Sequence, residues 1–159
     1  MFVDADDSMP PNAVSVLWEN SCGMDIVSGT ALIKRNGLLE KFPSHIRERG
    51  LFNGDEFLIQ LLCGTRLASL WRQLIKQSIL SENILSLPKE INIAEDFIIN
   101  FRLGQYIQKC KGISDVVYYY DFYPTNTVNS IKLSCEYLDF YDNILMENCN
   151  ECSNIVKSL

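Results

Sequence analysis

The chain has a single histidine, His45, and lacks glycine-rich phosphate loops, HExxH motifs and GxSxG motifs. The sequence therefore does not indicate phosphate binding by such a loop, metallopeptidase activity through HExxH or serine-hydrolase activity through GxSxG. No apolar run approaches the roughly 20 residues that a membrane-spanning helix needs, so we expect no membrane association. The 14 Lys and Arg are outnumbered by 20 Asp and Glu and are mostly scattered, which argues against direct nucleic-acid binding.

The length of 159 residues and the hydrophobic content of 47% predict one domain with a buried core. We expect residues 1–12, which are acidic and proline-containing, to be a flexible lead-in, and residues 13–159 to form a single globular domain. The N-terminus does not resemble a secretory signal, so an intracellular protein, cytoplasmic or nuclear, is expected. The acidic composition favours a protein partner, and a homo-oligomer is a second expectation.

Hydrophobic periodicity predicts an α+β fold that is mainly helical over its first two thirds, with a small antiparallel β-hairpin near the C-terminus. The cap signal at Asn53 and the apolar spacing after it predict a long amphipathic helix that reaches about Leu80. The other expected elements are a short strand over 13–18, helices over 23–35 and 93–110, and hairpin strands over 116–123 and 128–137.

Cys22 is the sharpest candidate for catalysis, because the predicted helix over 23–35 would place its thiol at a helix N-terminus. Partial positive charge and unpaired N–H groups at such a position favour a thiolate and can form part of an oxyanion hole. A cysteine nucleophile needs an imidazole base, and His45 is the only histidine that can provide one. The alternative is a buried cap cysteine and an unrelated surface histidine.

Cys149 and Cys152 form a C-x-x-C pair with the spacing at which two thiolates bind one zinc ion. Cys135 and Cys110 would complete a four-thiolate site. Such a site would be structural, because it leaves no open coordination position for catalysis. The alternative is a chain without a cofactor, in which these cysteines are reduced thiols.

Aromatic residues provide the candidate binding surface. Tyr118, Tyr120 and Phe122 fall in a run that reads as a strand, where the rings would alternate between a core face and a protein-binding face. Acidic residues within the run argue against stacking on nucleic-acid bases. Trp18 is a further binding candidate, as an anchor for self-association.

The segment Leu17 to Asp25, with the sequence LWENSCGMD, resembles the catalytic-cysteine box of a divergent group of ubiquitin- and SUMO-protease-like domains, papain-like cysteine peptidases of transposon-encoded and insect proteins. In that group an N-[ST]-C-x-x-D stretch opens the first helix. The resemblance implies a zinc-bearing region where Cys135, Cys149 and Cys152 would lie. It also calls for a histidine from later strands, and none follows His45, so it implies a shortened domain without the catalytic histidine.

These observations predict a non-catalytic protein-interaction or regulatory domain of cysteine-protease-like ancestry, that is, a pseudoenzyme. One alternative is an active cysteine isopeptidase that uses Cys22 and His45. The other is a small helical binding protein without protease ancestry.

Overall fold

The computed structural model describes residues 1–42, 49–89, 91, 94–123, 142–143 and 146. These residues form a mixed α/β fold in which helices flank one five-stranded mixed sheet. The elements, in chain order, are α1 (Ala13–Glu19), β1 (Ile26–Arg35), β2 (Leu38–Lys41), β3 (Gly50–Phe52), α2 (Gly54–Leu62), β4 (Gln73–Ile75), a 3-10 turn (Gln77–Ile79), α3 (Glu82–Leu85), α4 (Glu95–Gly104) and β5 (Cys110–Asp121).

Strand β1 is the centre of the sheet, because three other strands pair with it. β5 pairs with it in parallel along one edge, from Ile26 opposite Cys110 to Lys34 opposite Asp121. The opposite edge is shared by β4, which pairs antiparallel with residues 26–28, and β2, which pairs antiparallel with residues 32–35. β3 extends the sheet by pairing antiparallel with the start of β5.

Helices cover both faces of the sheet. Successive side chains of β1 point to opposite sides, so neighbouring residues of this strand pack against different helices. Ile26 belongs to a buried cluster with Phe57 of α2 and Leu103 of α4. The next residue, Val27, packs on the other face in a cluster with Leu17 of α1. Burying a side chain of this size contributes about 1.5–3 kcal/mol, so these contacts fix each helix against the sheet.

The predicted N-terminus of α2 is confirmed at Asn53. The Asn53 side chain accepts a hydrogen bond of 2.9 Å from the Glu56 amide, and the Glu56 carboxylate accepts one of 2.9 Å from the Asn53 amide. Such a reciprocal cap is worth about 1 kcal/mol. The predicted continuation of this helix to Leu80 is wrong, because α2 ends at Leu62 and Gly64 follows with a φ of 65°.

The expectation of a mainly helical α+β fold is also wrong. Residues 23–35 contain strand β1 instead of a helix, and residues 13–18 lie in helix α1 instead of a strand. The first four residues of β1 are all buried, so the apolar residues of this strand do not alternate with polar ones. The alternation over 13–18 covers only six residues, too few to separate a strand period from a helix period.

The third predicted helix and the aromatic strand are found with shifted ends. α4 occupies Glu95–Gly104 within the predicted range 93–110, and β5 begins at Cys110 and includes most of the predicted strand over 116–123. The second hairpin strand, predicted over 128–137, lies outside the described residues. The division of the chain at residue 12 stays a prediction. None of the helices in the described ranges has the length and apolar character needed to cross a bilayer.

Candidate functional site

The N-terminal segment lies along the second half of β5. Ser8 and Tyr119 exchange two backbone hydrogen bonds of 3.2 and 2.8 Å. The Asp4 amide donates to the Tyr118 hydroxyl at 3.0 Å, and Asp7 Oδ1 accepts from the Asp121 amide at 2.8 Å. These contacts hold the carboxylates of Asp4 and Asp7 beside the sheet.

Asp96 approaches the same place from the first turn of α4, where a helix N-terminus favours a negative charge. Its Oδ2 accepts a hydrogen bond of 3.1 Å from the Leu70 amide. Burial raises the pKa of Asp96 to about 6, the charges of Glu95 and Asp4 act in the same direction, and the Leu70 hydrogen bond opposes them. A carboxylate with this pKa is ionised at neutral pH and still basic enough to accept a proton.

Five carboxylates therefore form one acidic cluster, consisting of Asp4, Asp6, Asp7, Glu95 and Asp96. Asp4 interacts electrostatically with Asp6 and Glu95, and Asp96 interacts with Asp4 and Glu95. Burial, followed by the like charges of its neighbours, raises the pKa of Asp4 above its usual range. Burial also raises the pKa of Asp7, against the effect of its hydrogen bonds. In the part of the chain that the structure describes, no group of three or more His, Cys, Asp or Glu is arranged to hold a metal ion.

A buried polar network fixes Asp96 relative to the sheet. Asn100, which is fully buried one turn along α4, donates from Nδ2 to the backbone oxygen of Asp96 at 2.8 Å. Gln73 of β4 donates from Nε2 to Asn100 Oδ1 at 2.9 Å and to the Ser69 backbone oxygen at 2.8 Å. These buried hydrogen bonds join α4 to β4 and so help to fix the position of the helix on the sheet.

Aromatic rings stand next to the acidic cluster. The Trp71 ring stacks on that of Tyr118, with centroids 4.3 Å apart, and lies 6.0 Å from Tyr120 and 6.2 Å from Phe42. Tyr118 is fully buried, and burial together with the nearby Asp7 and Asp4 carboxylates raises the pKa of its hydroxyl. The other three rings are partly exposed and are called here the aromatic platform, made of Phe42, Trp71 and Tyr120.

The predicted catalytic pair is not tested by the structure. Cys22 is exposed and lies in the turn between α1 and β1, so its thiol is not at a helix N-terminus. The electrostatic argument for activating this thiol therefore does not apply to the observed fold. His45 lies outside the described residues.

The predicted zinc site also remains a prediction. Cys110 is buried at the start of β5, where its side chain belongs to the core cluster of α2 and α4. The other three candidate ligands, Cys135, Cys149 and Cys152, lie outside the described residues.

The four aromatic residues predicted to bind a protein partner occupy different environments. Trp18 is 71% exposed on α1, whereas Tyr118 is buried. Tyr120 and Phe122 are partly exposed, and the Arg35 guanidinium lies 4.1 Å above the centre of the Phe122 ring. A protein-binding role for this set remains a prediction, since the structure contains one chain.

The described fold is similar to that of TarS from S. aureus. A structure of TarS 1–349 in complex with UDP-GlcNAc matches with a TM-score of 0.70 and 18% identity, over 95% of this chain and 41% of the TarS chain. A complex with UDP matches with a TM-score of 0.64 and 17% identity, over 95% and 39% of the two chains. The chain thus spans about two fifths of the TarS length, and the similarity shows a shared fold. No protein-family model and no curated protein sequence matches the chain.

This similarity overturns the resemblance to ubiquitin- and SUMO-protease-like domains. Residues 17–25 span the end of a helix, a turn and the approach to β1, whereas the protease box opens a helix. A nine-residue match carries too little information to specify a fold. The expected regulatory domain of cysteine-protease ancestry is therefore wrong, as are the isopeptidase alternative, the helical binding protein and the pseudoenzyme interpretation.

Sequence reasoning missed the acidic cluster. Composition places Asp4, Asp6 and Asp7 in a flexible lead-in, and periodicity places Asp96 only within a helix. Two signals point to these residues: three carboxylates within four positions directly after the apolar pair Phe2-Val3, and an acidic pair at the start of α4. Neither signal shows from the sequence alone that the two segments meet.

Proposed function

We propose that this chain contributes to a sugar-transfer site, in which a hydroxyl group of an acceptor attacks a nucleotide-sugar donor. The observation that carries the proposal is the position of Asp96, half-buried within the acidic cluster and with a pKa raised to about 6. The fold shared with TarS, which is known in complexes with UDP-GlcNAc and UDP, supports the choice of donor class. Perturbed carboxylates held by several elements are typical of functional sites.

In the proposed reaction Asp96 acts as the general base. Its carboxylate accepts the proton of the acceptor hydroxyl while the hydroxyl oxygen forms a bond to the anomeric carbon of the donor sugar. The bond between that carbon and the phosphate oxygen breaks, and the nucleoside diphosphate leaves with the electron pair. With a pKa of about 6, Asp96 is about nine-tenths ionised at pH 7, so most molecules carry a competent base.

The remaining carboxylates of the cluster set the basicity of Asp96. Asp4 and Glu95 disfavour its ionised form by like-charge repulsion, so they make it a stronger base than an exposed aspartate. The Leu70 amide limits this effect by stabilising the charge. Asn100 and Gln73 hold the backbone that carries Asp96, and they act as positioning residues.

The proposal is tested by UDP release from UDP-GlcNAc, UDP-glucose and UDP-galactose, with donor binding measured separately by calorimetry. Asp96→Asn should lower turnover by about 10²–10⁴-fold, the usual contribution of a general base. Donor affinity should change little, because the proposed partner of Asp96 is the acceptor hydroxyl and Asn keeps the shape of the side chain. Asp115→Asn, at an exposed position on β5, is the matched control and should behave as the parent protein.

Two results would contradict the proposal. One is a folded Asp96→Asn protein that releases UDP at the parental rate. The other is a parent protein that binds none of the three donors at millimolar concentration in buffer containing Mg²⁺ and Mn²⁺.

A further inference from the structure

We infer that the aromatic platform of Phe42, Trp71 and Tyr120 binds the ring of a neutral acceptor sugar, an assignment that rests on the proposed function. Trp71 provides the main stacking surface. The ring centroids of Phe42 and Tyr120 lie 6.2 and 6.0 Å from that of the indole.

Two independent connections place Trp71 at the acidic cluster. Leu70, its neighbour in sequence, donates its amide proton to the Asp96 carboxylate at 3.1 Å. Tyr118, its stacking partner in space, accepts a hydrogen bond from the Asp4 amide at 3.0 Å through its hydroxyl oxygen. We therefore place a ligand ring that rests on the indole beside the acidic cluster.

The Trp71 indole is held in position before any ligand arrives. It stacks on the fully buried Tyr118 ring at an interplanar angle of 25°, and its plane is within 11° of that of Tyr120. The side chain remains partly exposed. Little side-chain entropy is then lost on binding, which favours a preformed ligand surface.

The surroundings of the platform favour a neutral sugar ring. Sugar hydroxyl groups can donate hydrogen bonds to the carboxylates of the acidic cluster, while the C–H face of a pyranose ring packs on the indole. In the proposed displacement the acceptor hydroxyl must reach Asp96, whereas the diphosphate of the donor leaves on the opposite side of the anomeric carbon. The platform is accordingly assigned to the acceptor and not to the uracil of the donor.

Tryptophan fluorescence tests this assignment directly. The chain has two tryptophans, and Trp18→Phe leaves Trp71 as the only reporter. Saturable quenching or a spectral shift is expected on titration with methyl β-N-acetylglucosaminide or methyl β-glucoside. A response to UDP that is absent with both methyl glycosides would overturn the inference, as would no response to any of the three.

Kinetics provide the second test. Trp71→Leu should raise the KM for the methyl glycoside acceptor about tenfold, the equivalent of one lost aromatic contact, and leave the KM for UDP-GlcNAc within about twofold. Tyr106→Leu, at an aromatic residue that is 53% exposed beyond α4, is the matched control. Equal weakening of acceptor and donor by Trp71→Leu would overturn the inference.

The outcomes separate this inference from the proposed function. Methyl glycoside binding to the single-tryptophan protein without any UDP release would support the platform and contradict the transfer reaction. UDP release that depends on Asp96, together with an acceptor KM that is insensitive to Trp71→Leu, would support the transfer reaction and contradict the platform. If Trp71→Leu does not fold, saturation-transfer NMR with the parent protein and the methyl glycoside replaces the kinetic test. Magnetisation transfer to the ring C–H protons of the glycoside is expected, and its absence would refute the platform.

Discussion

The acidic cluster should make the protein less stable as pH rises, and Asp96 should account for most of this effect. The pKa of Asp96 is raised from 3.8 to about 6, so the folded protein holds a proton there that the unfolded chain has already released. The stability that this bound proton contributes is therefore fully present below about pH 4 and is lost as pH rises through 6. This difference in pKa corresponds to about 3 kcal/mol above pH 6.

Replacing Asp96 by Asn removes this cost and keeps an oxygen that can accept the Leu70 hydrogen bond. The substitution also removes the favourable interaction of a carboxylate with the N-terminus of α4, worth about 0.3–1 kcal/mol. Relief of the buried charge outweighs the loss of that interaction, so Asp96→Asn should be more stable than the parent by about 2 kcal/mol at pH 7.5 and indistinguishable from it at pH 4. For a chain of this size the gain corresponds to roughly 4–8 °C in Tm.

Urea unfolding followed by tryptophan fluorescence at pH 4, 6 and 7.5 measures these differences, with Asp115→Asn as the control. A variant that is no more stable than the parent at pH 7.5 would refute the reasoning about burial. A gain that is the same at all three pH values would refute the assignment to a titrating carboxylate. The expected gain in stability, combined with the expected loss of turnover, is typical of a strained functional residue.

Three further substitutions test the fold that supports the site. Asp25→Ala removes the acceptor of two backbone amides and should cost about 2 kcal/mol at pH 7. Although burial opposes the effect, these hydrogen bonds lower the pKa of Asp25, so the cost should shrink as pH falls below 4. Urea titrations measure this cost, and a cost that does not depend on pH would contradict the reasoning. Gly54→Ala would place a Cβ atom 2.5 Å from the Ile107 backbone oxygen and should lose about 1–3 kcal/mol, whereas an unchanged Tm would disprove the close packing. Asn100→Ala removes one of the two acceptors of the buried Gln73 amide group and should cost about 1–3 kcal/mol in urea unfolding, and unchanged stability would contradict this.

Local sequence signals predict the parts of the fold that depend on local interactions. The cap at Asn53 and the apolar spacing of α4 are readable because capping and helix periodicity act within a few residues. Strand β1 is mistaken for a helix because both of its faces are covered, by α1 on one side and by α2 and α4 on the other. Its burial is a property of the assembled sheet and leaves no alternation in the sequence.

The candidate site depends still more on tertiary structure. Asp7 and Asp96 are 89 positions apart, and they reach one cluster only because β5 holds the N-terminal segment and the polar network holds α4. The pKa of Asp96 is raised mainly by its burial in the folded protein, which the sequence alone does not show. Cys22, by contrast, has an attractive sequence context, but the element that would have activated its thiol is a strand.

The reciprocal hydrogen bonds between Ser8 and Tyr119 have a consequence for deletion variants. Within the described residues, Ser8 is the partner of the β5 edge beyond the short stretch that pairs with β3. Deleting residues 1–8 would leave that edge open, and unpaired strand edges recruit other chains into intermolecular sheets. We therefore expect such a truncation to precipitate instead of yielding a soluble protein without the N-terminal carboxylates.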